Sequence, residues 1–182
     1  MADAKSLKPA IFFDRDGVLH KDIGYAHRPA DIEWSLGVAE AIKSVNEAGA
    51  FAFVVTNQSG VARGRFGERD VRALHDWMSA RLESHGARID AFEYCPYHRF
   101  ALVPAYRRDS FDRKPNPGML LSLMSRFPVD PARAVLIGDK SSDLAAARAA
   151  GIQGMVYRGG CLNDLVLEIL AEWQRRRSTD DD

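Results

Sequence analysis

The sequence predicts an α/β fold, a Rossmann-like parallel sheet with helices on both faces. Three observations carry this expectation. Short apolar runs alternate along the chain with stretches of helical periodicity. The runs are continuously apolar, as in strands buried on both faces, rather than alternating. Strand–helix alternation of this kind closes through right-handed crossovers into one sheet. With 182 residues, 46% of them hydrophobic, the chain can fill one good core, so a single domain over 1–182 is expected.

The elements follow in order. Ala10–Phe13 (AIFF) reads as the first strand and stops at Asp14. Residues 36–48 have helical spacing and end at Gly49, a natural C-cap. Phe51–Val55 (FAFVV) is a second strand, ending at Thr56. Val71, Leu74, Trp77, Met78 and Leu82 recur at helical spacing within 68–85. Ile89–Tyr94 is a third strand. Asn116 can cap a helix with Pro117 at its first position, running through Met124. Ala134–Ile137 is a fourth strand ending at Gly138-Asp139. A helix of small residues opens at Ser141 or Ser142 and closes at Gly151. Gly154–Tyr157 is a fifth strand, and residues 162–175 form the last helix. The polar end, residues 174–182, is expected to be disordered.

Charge and composition exclude several classes. Lys+Arg and Asp+Glu both number 25, which argues against a nucleic-acid binder. No window reaches the 18 apolar residues of a membrane span, and the start (Met1 to Pro9) lacks a signal-peptide core. Cys95 and Cys161 do not make a disulfide framework. A cytoplasmic setting and a monomer without membrane or nucleic-acid partner are therefore expected.

Ligands of open parallel sheets bind at the carboxyl ends of strands. Three expected strand ends carry Asp14, Thr56 and Asp139, each directly after a buried run. Singly, each has an ordinary reading as a turn, a cap or a solvated loop residue. Together, Asp14, Asp16, Asp139 and Asp143 would repel one another at one sheet edge, and burial would raise their pKa values. A hard cation resolves this. Mg²⁺ takes oxygen ligands and commonly shares its shell with a substrate phosphate. Lys114, Thr56 and the turn Asn57-Gln58-Ser59-Gly60 supply the cation, hydroxyl and N–H groups that phosphoryl transfer needs. Asp14 is placed as a nucleophile giving an aspartyl-phosphate. Asp16, two residues on and on the same side of an extended chain, is placed as its acid/base.

Four motifs in order, FFDRDGVL, VVTNQSG, the Lys of RKPNPGM and IGDKSSD, are similar to those of the haloacid dehalogenase superfamily of phosphotransferases. The stretches DRDGVLHKDIGYAHRP, TNQSGVARGRF and CPYH…DRKPNPGML resemble the heptose-bisphosphate phosphatases, relatives of the histidinol-phosphate phosphatases. The resemblance implies a core with minimal cap, Mg²⁺ as cofactor, and a small phosphorylated sugar of nucleotide-heptose and lipopolysaccharide synthesis as partner. Histidinol phosphate or another sugar phosphate stays open as the substrate. By position, it implies Asp14 and Asp16 (through its carbonyl) as catalytic groups and Mg²⁺ ligands, Asp139 as a further ligand and Asp143 as its support. Thr56 and Lys114 steady the phosphoryl group. Asp22, Ile23, Gly24 and Tyr25 form a flap near the sugar, Asn57, Gln58 and Ser59 the phosphate-side turn, and Arg113 and Lys140 further substrate contacts.

The family's structural zinc loop is degenerate here. Tyr97, Ser110 and Asp112 stand at three of its four ligand positions, so structural Zn²⁺ is not expected. Cys95 and His98, with Asp112, remain as candidate metal ligands in a shifted register. The loop from Pro96 is instead expected to persist by packing of Phe100, Leu102, Val103, Tyr106 and Phe111. A receiver-type phosphorylation switch is the alternative from another class. Its phosphorylated Asp follows a middle strand, where this chain has Thr56.

Overall fold

The computed structural model describes residues 6–180. The expectations for residues 1–5 and 181–182 lie outside the described residues. In chain order the elements are β1 (Lys8–Phe13), α1 (Val38–Glu47), β2 (Phe51–Asn57), α2 (Ser59–Ala62), α3 (Glu68–Glu83) and β3 (Ala91–Cys95). There follow α4 (Gly118–Arg126), β4 (Val129–Gly138), α5 (Ser141–Ala149), β5 (Gln153–Val156) and α6 (Leu162–Asp180). Short 3-10 turns occupy Pro29–Asp31 and Pro104–Tyr106.

The five strands form one sheet in the order β3-β2-β1-β4-β5, and every pair is parallel. The chain moves outward from β1 to β2 and β3, then returns to the other side of β1 for β4 and β5. That reversal opens a crevice at the carboxyl ends of β1, β2 and β4, the usual ligand site of such sheets. Register fixes what meets there. Phe13 is paired with Val54 on one side and Ile137 on the other. Asp14 therefore lies level with Val55 and Gly138, with Thr56 and Asp139 one step further on.

Alternate strand residues go to opposite faces. Ile11 and Phe13 pack with Ile42, Leu74, Leu170 and Trp173 in one core. Ala10 and Phe12 pack with Phe53, Met119, Leu123 and Ala147 in the other. All four β1 side chains are fully buried. At roughly 1.5–3 kcal/mol for each large apolar side chain, this double burial anchors the strand that carries Asp14.

Three expectations about the elements change. The Ser59–Ala62 turn is helical, so the residues after Thr56 present their N–H groups from a helix start. Asn116 does not cap α4: its Nδ2 donates to the Ser110 carbonyl at 2.9 Å, and Pro117 holds the cap position. The polar end is helical through Asp180 rather than irregular from 174. Glu and Arg are good helix formers, and Glu172 pairs with Arg176 four residues on.

Candidate active site

Asp14 follows β1 and is nearly buried. Its Oδ1 accepts the backbone N–H of Arg15 at 2.8 Å and lies 2.7 Å from Lys114 Nζ. Both contacts fall on Oδ1, which leaves Oδ2 without a partner among the described residues. Burial pushes this carboxyl up to about 7, with Asp143 and Asp16 adding to the rise and Lys114 opposing it.

Lys114 reaches the site from the loop before α4. Its ammonium donates to the Val55 carbonyl at 2.9 Å and lies 2.6 Å from Asp143 Oδ1 as well as against Asp14. Burial works against that charge, but the two carboxylates outweigh it and raise the pKa. Asn57 steadies the loop, donating from Nδ2 to the Lys114 carbonyl at 3.0 Å and accepting the Lys114 N–H at Oδ1, 3.1 Å.

Asp16 is held differently. Arg15 places a guanidinium fork on it, Nε to Oδ2 at 3.1 Å and Nη2 to Oδ1 at 3.0 Å. Thr56 Oγ1 and Gln58 Nε2 also donate to Oδ2, at 3.2 and 2.9 Å. Burial raises this carboxyl, yet Arg15, His20 and Gln58 together bring it below its ordinary range. Two carboxylates two residues apart are thus driven in opposite directions, Asp14 by burial and Asp16 by its donors.

Asp139 follows β4. Its Oδ1 is buried and has no hydrogen-bond partner, and burial raises its pKa. Carboxylate oxygens of Asp14, Asp139 and Asp143 lie within 4.8 Å of one another. An orphaned oxygen beside two more oxygen donors is the environment that a hard divalent cation such as Mg²⁺ satisfies. Asp143 sits inside this cluster but is more engaged: Oδ1, though without a geometrically formed hydrogen bond, pairs with the Lys114 charge at 2.6 Å, and Oδ2 accepts the Lys140 N–H at 3.0 Å, capping α5. Gly17 makes the cluster possible. Its φ is +96°, and a Cβ there would stand 2.3 Å from Asp139 Oδ2.

These groups open onto a cavity of about 290 Å³ lined by Asp14, Asp16, Thr56, Lys114 and Asp143, together with Asp22, Gly24, Tyr25, Asn57, Gln58, Ser59, Arg113 and Lys140. Two of the expected residues do not line it. Ile23 is 54% exposed, and Asp139 belongs to the acidic cluster without lining the cavity. Gly60, the last residue of the expected phosphate-side turn, lines it as well, and Ser142 lines it without having been expected as a site residue. Two of the lining residues, from separate parts of the chain, meet where Lys140 Nζ donates to Asp22 Oδ2 at 2.9 Å. Arg65 lies 4.2 Å over the Tyr25 ring. Sequence reasoning also missed Arg15 and the buried histidines His20 and His75. The signal available was a charged residue set between two aspartates directly after a fully apolar strand.

In the loop before Lys114, three or more ligand atoms do not come together. Among the described residues the one such group is the aspartate cluster. Cys95 Sγ is turned to the Tyr97 carbonyl at 3.9 Å, with burial raising its pKa, and His98 Nδ1 accepts the Phe100 N–H at 3.1 Å. The apolar packing expected of the loop is met only in part: Tyr106 packs against Val61, Phe66 and Val71 and Val103 is half-buried, but Phe100, Leu102 and Phe111 are 72, 70 and 63% exposed. Polar anchors hold it instead. Glu68 on α3 accepts both Tyr94 and Tyr106 hydroxyls, Arg108 lies 3.6 Å over the Tyr97 ring, and Arg107 donates to the Ala101 carbonyl. Where the loop turns outward its rings stay exposed, and hydroxyls and guanidinium groups tie it down there.

A central strand ending in a buried aspartate, an acidic cluster at the switch point and a lysine from a later loop define a haloacid dehalogenase-like hydrolase. The HAD-hydrolase-like family model matches residues 111–173. A D-glycero-beta-D-manno-heptose-1,7-bisphosphate 7-phosphatase of Rhodopseudomonas palustris is 47% identical, over 92% of this chain and 93% of its own. The protein of that name from Escherichia coli is 42% identical over 82% of this chain and 78% of its own. The D,D-heptose 1,7-bisphosphate phosphatase of B. bronchiseptica, solved with magnesium and phosphate, superposes with a TM-score of 0.79 at 28% identity. That match covers 90% of this chain and 99% of that one. The chain belongs to this family of haloacid dehalogenase-like phosphatases. No helix among the described residues is long and apolar enough to cross a membrane.

Proposed function

We propose that the protein removes the 7-phosphate of D-glycero-D-manno-heptose 1,7-bisphosphate through an aspartyl-phosphate, with Mg²⁺ as cofactor, in a cytoplasmic setting and as a monomer. The observation that carries this is the Asp14 carboxylate, clamped on one oxygen by Lys114 and free on the other, at the floor of an acidic cavity. Asp14 and Asp139, with the Asp16 carbonyl, would hold the cation, and Asp143 would support them. Bound there, Mg²⁺ supplies charge neutralisation between the carboxylates and the incoming phosphate.

The protein's own groups do the rest. Asp14 Oδ2 attacks phosphorus in line with the bridging oxygen. Lys114, the Thr56 hydroxyl and the N–H groups at the start of α2 hold the equatorial oxygens. Asp16, protonated for this step, gives its proton to the departing alkoxide. The same carboxylate then takes a proton from the water that attacks the phospho-Asp14. The donors on Asp16 favour its ionised form, so the proton it gives is taken up with the substrate while the Arg15 contacts stay in place.

A second phosphate on the substrate suits the neighbouring cavity of about 220 Å³, where His98, Arg99 and Arg113 stand with one carboxylate, Asp109, 3.9 Å from Arg99. Arg113 lines both cavities and has Arg63 within electrostatic reach. That basic extension favours a bisphosphate over a monophosphate. The test is Mg²⁺-dependent phosphate release from the heptose bisphosphate, histidinol phosphate and simple sugar phosphates. Preference for the bisphosphate in kcat/KM is expected; a preference for histidinol phosphate would replace the substrate assignment.

A further inference from the structure

Arg15 is the largest fully buried side chain in the described structure, only 1% exposed, and the reaction outlined above leaves it without a task. A guanidinium keeps its charge when buried, so its donors must all be met. Two of them form the fork on Asp16. Nη2 also donates to the Ala26 carbonyl at 2.9 Å, where the flap rejoins the body of the protein. Nη1 meets His75 Nε2 at 3.3 Å. Arginine only donates, so His75 Nε2 is the acceptor there and Nδ1 carries the hydrogen. His75 comes from α3 and is buried, its ring stacked on Phe92 of β3 at 4.5 Å. An unbroken chain of contacts therefore runs from the α3–β3 packing through His75 and Arg15 to both oxygens of Asp16 and to the base of the flap.

We propose that Arg15, seated by His75, is a positioning residue that fixes the Asp16 carboxyl for proton transfer to the leaving oxygen and ties it to the flap. The inference rests on the phosphatase reading above. In the first half-reaction the bond from Asp14 Oδ2 to phosphorus forms as the bond from phosphorus to the bridging oxygen breaks. The proton on Asp16 moves to that oxygen. In the second, water attacks phosphorus, its proton returns to Asp16, and Asp14 is released. Both steps need the Asp16 carboxyl in one place. The fork on both oxygens allows one orientation, whereas Thr56 and Gln58 touch Oδ2 alone and leave rotation open. Neither Arg15 nor His75 lines the cavity, so neither touches the substrate.

The choice of leaving group separates this role from plain structural support. A sugar alkoxide needs a proton to depart; p-nitrophenolate does not. The full chain with saturating Mg²⁺ is assayed on the heptose bisphosphate and on p-nitrophenyl phosphate, reading kcat/KM, which covers every step through leaving-group departure. Arg15→Lys keeps the charge and loses the fork. His75→Phe keeps the stack on Phe92 and loses the acceptor, and His75→Gln restores one. Arg15→Lys and His75→Phe are expected to lower kcat/KM on the sugar ester about tenfold or more, part of what a positioned acid supplies. On p-nitrophenyl phosphate the loss is expected to stay under about threefold, because no proton is needed there. His75→Gln recovers most of the sugar-ester rate. Equal losses on both substrates, or an unchanged Arg15→Lys, would overturn the assignment. Should His75→Phe not fold by circular dichroism, Arg15→Lys and His75→Gln carry the same comparison. A wild-type protein inactive on both substrates overturns the phosphatase reading itself, a different outcome from a wild type that is active with equal losses in its variants.

Discussion

The ammonium of Lys114 lies 2.7 Å from Oδ1 of Asp14, although the two are a hundred residues apart in sequence. The same nitrogen lies 2.6 Å from Asp143, so one buried cation holds together carboxylates from the end of β1 and the first turn of α5. Replacing it with Met leaves both uncompensated. Lys114→Met should destabilise the protein by about 3–5 kcal/mol in urea unfolding at pH 8. The deficit should shrink when Mg²⁺ is added, since a cation near the cluster takes over part of the charge. A variant as stable as the wild type without metal would show that the pair does not hold the cluster.

The unpartnered Asp139 oxygen predicts a metal effect on stability. At a concentration about 100 times its Kd, Mg²⁺ should stabilise the folded protein by about 2.7 kcal/mol, visible as a rise in Tm that EDTA reverses. Asp139→Asn should remove most of that rise while leaving Tm without metal unchanged or higher, because a neutral amide removes the cost of burying the charge and the smaller repulsion from Asp143. An undiminished Mg²⁺ response in Asp139→Asn would place the cation elsewhere.

Gly17 predicts a steric lesion with a functional readout. A Cβ at that position would push into the Asp139 carboxylate, on a backbone with φ of +96°. Gly17→Ala should therefore lose Mg²⁺-dependent phosphate release by about 10–100-fold while binding Mg²⁺ more weakly, the scale seen when groups that orient metal ligands are lost. Calorimetric titration with Mg²⁺ checks it.

The nucleophile assignment makes the plainest prediction. Asp14→Asn keeps the size of the side chain and its contact with the Arg15 N–H, but an amide does not form the phosphoryl ester. Phosphate release should fall by at least about 10⁴-fold. Retention of wild-type turnover would remove Asp14 from its role.

His75 predicts how stability depends on acid. Its imidazole is held down to about 3 by burial, with Arg15 opposing its charge as well. Below 6.5 the unfolded chain binds a proton that the folded chain refuses, so stability is full above 6.5 and is lost as pH falls toward 3. By pH 5 this one group should have cost about 2 kcal/mol. The difference in unfolding free energy between pH 7 and pH 5 should be smaller in His75→Gln by about that amount; an identical difference in both proteins would assign the acid sensitivity to other groups.

Much of the site was legible before any coordinates. The runs AIFF and FAFVV are apolar because both faces of β1 and β2 are covered, and such runs show where a buried strand must end. Asp14, Thr56 and Asp139 stood out because a polar residue directly after a buried run sits at the sheet edge. Lys114 was reachable only through its motif, since nothing local says that a loop lysine folds back onto the Val55 carbonyl. The exposed rings of the loop went the other way. Phe100 and Phe111 read as packing residues in sequence and stand in solvent, because the loop turns outward and is held by Glu68 and its two tyrosines.

By itself the sequence determined the strand cores, the alternation that makes the sheet parallel, and the identity of the carboxylates at its edge. These follow from hydrophobic periodicity, which is local. Only the tertiary structure decided how those carboxylates differ. Asp14 is raised by burial, Asp16 is gripped by Arg15, Asp143 is occupied by Lys114 and Lys140, and Asp139 keeps an unpartnered oxygen. The physical reason is that a charge's environment is set by groups distant in the chain, which strand register brings within hydrogen-bond reach.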